Sequence, residues 1–134
     1  MVILIADDEI HIRRVLELKF RSLAEKLIVA TNGREAYDAA VDAKPDLIIS
    51  DYQMPGEMDG IDMIRALRKH PDLTDTPVVL LTGSVAVLSR IRHLIEDCGN
   101  VTLVAKPFSP RGLSKIVEEL LEARRTGVPS NLDR

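Results

Sequence analysis

Carboxylates, a hydroxyl and an ammonium recur in this chain at one kind of place, directly after a short apolar run. "VILIA" leads into Asp7-Asp8-Glu9, "DLIIS" into Asp51, "PVVLL" into Thr82, and "VTLVA" into Lys106-Pro107. A carboxylate delivered to a loop can cap a helix, bind a metal or act as a nucleophile. Two carboxylates about 4 Å apart repel by roughly 4 kcal/mol at an effective dielectric near 20. If the fold gathers Asp7, Asp8 and Asp51, the cluster must protonate in part or recruit a cation. Hard carboxylate oxygens without thiolate or imidazole suit Mg²⁺, which keeps several waters and commonly shares its shell with phosphate. A hydroxyl at Thr82 and an ammonium at Lys106 could then contact phosphoryl oxygens. Plainer roles stand beside these. Acids favour a helix N-terminus, and Glu9 reads as a first-turn residue of that kind. Thr82 could cap the next helix, and Lys106 could do no more than neutralise the acids.

The elements that must position these residues follow from hydrophobic periodicity. Five apolar runs, 2–6, 26–30, 46–50, 77–81 and 101–105, are uninterrupted rather than alternating, the pattern of strands buried on both faces. Helical patterns lie between and after them. Residues 10–24 place Ile12, Val15, Leu16, Phe20 and Leu23 on one face. Further helices are predicted over 33–43, 61–69, 86–98 and 110–123, the last with Ser109 as N-cap before Pro110. Strand–helix alternation of this kind predicts a doubly wound α/β fold, a five-stranded parallel sheet with five helices and right-handed crossovers. Ligands in such folds bind at the carboxyl ends of the strands, where strand order reverses. In the order 2-1-3-4-5 that point lies between strands 1 and 3, beside Asp7, Asp8 and Asp51.

Composition narrows the function classes. The chain is 46% hydrophobic and 29% charged, enough for one packed core, and its length suits one domain. A net charge of −3 gives no basic footprint, and two Phe, two Tyr and no Trp make no base-stacking platform, so nucleic acid is not an expected partner. A single cysteine fits a cytoplasmic setting, and no apolar run approaches a membrane span. Residues 1–123 are expected to form the domain. The tail 124–134, with Gly and Pro, reads as a frayed end or the start of a linker.

Taken together, "ILIADDE" (3–9), "DLIISDYQMP" (46–55) with "MDG" (58–60), "VVLLTGS" (78–84) and "LVAKPF" (103–108) resemble the receiver domain of two-component response regulators over residues 1 to about 123. The resemblance implies the flavodoxin-like strand order 2-1-3-4-5. It implies a signalling regulator rather than an enzyme acting on a substrate, with self-catalysed phosphorylation and dephosphorylation as a family trait. Asp51 would take a phosphoryl group from a phosphohistidine of a sensor kinase or histidine phosphotransfer protein. Mg²⁺, or Mn²⁺ in its place, would be held directly by Asp8, mainly through water by Asp7, and by Asp51 and the backbone carbonyl of Gln53. Thr82 and Lys106 would contact the phosphoryl group, switching the helix 4–strand 5–helix 5 face toward an output protein or domain. A cis bond before Pro107 is likewise implied, and Gln53 and Ser84 stand where family members tune phosphoryl lifetime. The chain would be a stand-alone regulator or the receiver of a longer protein.

This sequence departs from the family in places. Glu57 stands as an extra residue after Asp51, Gly83 replaces a small alanine or serine, and the segment from Thr82 to Lys106 is slightly long. Leu103 replaces the aromatic residue usual three positions before the lysine. Rival readings fit less well. A haloacid-dehalogenase-type phosphatase needs Asp-x-Asp after strand 1, and an FMN carrier needs a hydroxyl- and Gly-rich loop there. A pseudo-receiver would lack some of Asp7, Asp8, Asp51, Thr82 and Lys106, all of which are present. His11, His70 and His93 lack ligand spacing and are expected at the surface or at helix ends. Cys98 and the methionines are expected in the core. Arg124 and Arg125 are expected to neutralise the end of the last helix. The face of helix 1 around Ile12 to Leu16 is a candidate dock for the phosphodonor.

Overall fold

The computed structural model describes residues 1–83 and 85–127. Strands β1 (Val2–Ala6), β2 (Lys26–Ala30), β3 (Leu47–Asp51), β4 (Val78–Thr82) and β5 (Val101–Ala105) alternate with helices α1 (Ile10–Phe20), α2 (Gly33–Ala43), α3 (Gly60–Arg68), α4 (Leu88–Ile95) and α5 (Pro110–Thr126). The sheet is parallel, in the order β2-β1-β3-β4-β5. Alternate strand residues divide the core into two layers. Ile3, Ile5, Leu47, Ile49, Val79 and Leu81 pack with Leu16 and Phe20 of α1 and Leu113, Val117 and Leu120 of α5. Leu4, Ile48, Val78 and Leu80 pack with α2, α3 and α4.

Burial on both faces holds for the three central strands, and the two edges differ. β3 and β4 are buried at every position, whereas β2 has exposed positions and β5 is half-buried throughout. An edge strand has a neighbour on one side only and overhangs the helix layers.

Helix ends also depart from the sequence reading. α1 stops at Phe20 rather than 24. Val15 is 41% exposed instead of joining the buried face. Leu16 and Phe20 stack four residues apart against the sheet, and Val15 sits about 100° of helical turn away from Leu16. Glu9 is the N-cap residue of α1 rather than a first-turn residue, and its side chain makes no capping bond. α4 is regular only over Leu88–Ile95, after a 3₁₀ turn at Val85–Val87, so Cys98 lies beyond the helix yet stays buried. α5 runs to Thr126 and ends at Gly127, whose φ of 76° is the left-handed geometry that glycine adopts without Cβ strain. Ser109 caps its start, accepting from the Gly112 N–H at 3.1 Å.

The start of α3 is set by a close approach. Asp59 and Asp62 form a reciprocal capping box, and the Gly60 N–H donates to the Tyr52 carbonyl at 2.8 Å. A Cβ on Gly60 would sit 2.5 Å from the backbone oxygen of Asp51 and 2.9 Å from a Leu80 methyl. Gly60→Ala should therefore cost about 1–3 kcal/mol in urea unfolding, as overpacked positions do. Wild-type stability in that variant would show that helix α3 can shift freely away from the strand end.

Candidate functional site

Register places the acidic residues before any side chain is considered. Ala6 pairs with Ser50, so the residues that follow, Asp7 and Asp51, leave the sheet side by side. Asp51 pairs with Leu81, and Thr82 pairs with Ala105, the residue before Lys106. The Lys106 N–H donates to the Thr82 carbonyl at 2.6 Å, and the Tyr52 N–H to the Leu81 carbonyl at 2.9 Å. Four adjacent strand ends therefore present Asp7, Asp51, Thr82 and Lys106 to one crevice, with Asp8 exposed at its mouth.

The side chains converge as register requires. Lys106 Nζ stands 3.0 Å from Asp51 Oδ2 and 3.7 Å from Asp7 Oδ2. Oxygen atoms of Asp7, Asp8 and Asp51 all lie within 4.8 Å of one another. Asp7 is wholly buried and Asp51 nearly so. Asp7 Oδ1 accepts from the Glu9 N–H at 2.9 Å, but Oδ2 has no hydrogen-bond partner. The Thr82 hydroxyl is equally buried and equally unpartnered, so it caps no helix. A buried orphan oxygen is costly, and here two of them lie at the same edge of the sheet. A hard cation bound to Asp7, Asp8 and Asp51 would satisfy the first, and an oxyanion beside it would satisfy the hydroxyl. The donor set fits a divalent metal of the Mg²⁺ kind.

Electrostatics agree with the geometry. Burial holds the Asp7 carboxyl above its ordinary value, with the charges of Asp51 and Asp8 adding to it, while the Glu9 N–H and Lys106 oppose it. Asp51 is also raised by burial, against the opposing hydrogen bond and charge of Lys106. Burial works to lower Lys106, but its bond to Asp51 and the attraction of Asp51, Asp7 and Glu9 outweigh that and raise it. A carboxyl raised in the folded state contributes stability that is fully present below its unfolded value, near 4, and lost as pH rises through the folded value. Asp7→Asn should therefore flatten that decline. In EDTA at neutral pH it should stabilise the protein by on the order of 1 kcal/mol, the scale for an unpaired buried group. Parallel pH profiles of urea stability for wild type and variant would show that Asp7 carries no such strain.

Other sequence expectations sort cleanly. The Lys106–Pro107 bond is cis. Gln53 and Glu57 are exposed on the loop after β3, and Ser84 lies outside the described residues. Leu103 is half-buried in β5 and packs against the core on the α4 side. His11 and His93 are exposed, and His70 sits at the end of α3, its Nδ1 accepting from the Asp72 N–H at 3.2 Å. Burial pushes the Cys98 thiol up. Met54 and Met63 are core residues, and Met58 is half-buried against them. Arg125 pairs with Glu122 at 2.6 Å, while Arg124 reaches Asp46 at 3.5 Å instead of remaining on its own helix.

Two arginines of α3 had no signal in the sequence. Arg68 donates to the carbonyls of Leu73, Cys98 and Gly99, and Arg65 to that of Leu94, tying the end of α4 to α3. Arg13 of α1 donates to the Asp7 carbonyl at 2.9 Å. An arginine on an amphipathic helix is ordinary in a sequence, and its acceptor carbonyls come from distant segments.

A family model described as response regulator receiver domain matches residues 3–118. The chain is 35% identical over 125 residues to the phosphate regulon transcriptional regulatory protein PhoB of Pseudomonas aeruginosa, covering 93% of this chain and 52% of that protein. It is 38% identical over 120 residues to the regulatory protein AtoC of Escherichia coli, covering 90% of this chain and 25% of AtoC. It thus spans about half, or less, of the curated relatives it matches. Among solved structures it is similar to chemotaxis protein CheY4 of Vibrio cholerae, with TM-score 0.79 and 29% identity over 89% of this chain and 97% of that one.

Proposed function

The chain belongs to the response regulator receiver domain family, and from that premise we propose that Asp51 is its phosphoacceptor. It is a signalling module of two-component systems. The observation that supports the assignment is the convergence on Asp51: Lys106 at 3.0 Å, Asp7 and Asp8 within reach of one metal, and an unpartnered Thr82 hydroxyl.

In this reading an oxygen of Asp51 attacks the phosphorus of a phosphohistidine. The P–O bond to Asp51 forms as the P–N bond breaks, and the imidazole leaves to take up a proton. Asp7, Asp8, Asp51 and the Gln53 carbonyl would hold Mg²⁺, which when bound offsets phosphoryl charge and aligns the groups. Lys106 pairs with the phosphoryl oxygens in place of Asp51, and the Thr82 hydroxyl donates to one of them. Both side chains are then drawn toward the crevice, and β4 and β5 carry that shift to the face of α4, β5 and α5. Gln53 and Ser84, each two residues past a site residue in the sequence, would set how readily water reaches the acyl phosphate.

The phosphodonor would be a histidine kinase or phosphotransfer protein in the cytoplasm. An apolar groove of about 550 Å³, lined by Ile12, Val15, Gly83, Pro107, Phe108 and Pro110, opens beside Lys106 and suits its dock. The exposed position of Val15, unexpected for a core residue, fits this use. The switching unit is assigned residues 1–126, since α5 runs to Thr126 and Arg124 reaches Asp46. A tail or linker start thus begins past the expected 124, and residues 128–134 lie outside the described residues. The regulator would act alone or within a longer chain. The test is labelling by a small phosphodonor with Mg²⁺ in wild type and Asp51→Asn.

A further inference from the structure

Asp7 has four polar atoms besides its two chain neighbours' groups, and the fold accounts for all but one. Its N–H donates to the Ala30 carbonyl at 3.1 Å, and its Oδ1 accepts from the Glu9 N–H at 2.9 Å. Its carbonyl accepts from Arg13 at 2.9 Å, which leaves Oδ2 alone and turned toward Lys106. Of these tethers, only the Arg13 contact comes from a long side chain, and it comes from α1. That helix has no other device at its start: Glu9 makes no side-chain cap, and no acid occupies the first turn. Arg13 is half-buried, and its charge adds to the lowering of the Glu35 carboxyl, which its bonds to Thr31 lower first. The guanidinium is bonded to the acidic turn from the helix that follows it.

The geometry points to Arg13 as a positioning residue for the metal site: its bond to the Asp7 carbonyl fixes the Asp7-Asp8-Glu9 turn so that the free Asp7 oxygen faces Asp51. The inference rests on the phosphoacceptor reading. Its sign separates it from a simple charge effect. A cation beside an acidic cluster repels divalent metal, so removing it on charge grounds alone would tighten binding. A residue that orients ligands has the opposite effect, and loss of such outer partners weakens metal affinity by about 10–100-fold.

The test is Mn²⁺ titration of the full chain by EPR, in wild type, Arg13→Met and Arg13→Lys, with Glu9 amide exchange measured in metal-free protein. Arg13→Met should bind Mn²⁺ about tenfold more weakly, at the low end for outer partners, and its Glu9 amide should exchange faster. Arg13→Lys keeps the charge but exchanges a planar fork for one ammonium. It should fall between the two, and it carries the test alone if Arg13→Met does not fold. Wild-type or tighter affinity in the folded variants overturns the inference. A wild type that binds no Mn²⁺ would instead overturn the phosphoacceptor reading beneath it.

Discussion

Asp51→Asn is expected to carry no acid-stable, base-labile phosphate after incubation with acetyl phosphate and Mg²⁺, while wild type acquires one such group. Asparagine keeps the size and planarity of the side chain. It replaces the carboxylate oxygen proposed to attack with a neutral amide, which is neither nucleophilic nor a good metal ligand. The fold should survive the change, because Asp51 sits at the end of a strand whose other residues carry the packing. Removing one charge from a cluster already raised by burial also relieves repulsion among the acids that remain. The variant should thus unfold no earlier than wild type in metal-free buffer and respond less to Mg²⁺. Phosphate that persists on Asp51→Asn would mean that another residue is the acceptor, with Asp8 the next candidate at the mouth of the crevice.

Lys106→Met should produce the largest stability loss of any single change at the site. The ammonium approaches Asp51 at 3.0 Å and Asp7 at 3.7 Å, with only 22% of its side chain exposed. Methionine preserves the apolar stem and leaves two buried carboxylates facing each other uncompensated. Breaking a fully buried pair costs about 3–5 kcal/mol, and the partial exposure of Lys106 reduces this to about 2–3 kcal/mol at pH 8. The deficit should shrink at pH 5, as the raised carboxyls of Asp7 and Asp51 take up protons. It should also shrink in saturating Mg²⁺, which offsets the same charge. Urea unfolding at the two pH values, with and without Mg²⁺, reads all of this. A deficit independent of both would mean that the stem of Lys106, not its charge, supports the fold.

Much of the molecule was written in local patterns that act over a few residues. Uninterrupted apolar runs specified the strands, because side chains buried on both sheet faces leave no polar alternation. Ser109 with Pro110 marked the start of α5 through a hydroxyl that bonds its own next turn. Helix ends were less legible. α1 is shorter than its apolar pattern and α5 longer, because contact with the sheet and the glycine at 127 decide where each stops. The swap of Val15 from core to surface has the same origin, since periodicity gives a stripe but the neighbouring element selects its width.

For the candidate site, the sequence by itself determined which groups are offered: Asp7, Asp8, Asp51, Thr82 and Lys106 each stand at the end of an apolar run, and a parallel sheet must bring such ends to one edge. What only the tertiary structure decided was which of their atoms are free. The orphaned Asp7 Oδ2 and Thr82 hydroxyl, the Arg13 bond to the Asp7 carbonyl and the Gly60 contact with Asp51 all depend on ångström-scale approaches between segments distant in the chain. Residue type fixes what a group can bond, but whether its bonds are already filled depends on neighbours that only packing supplies.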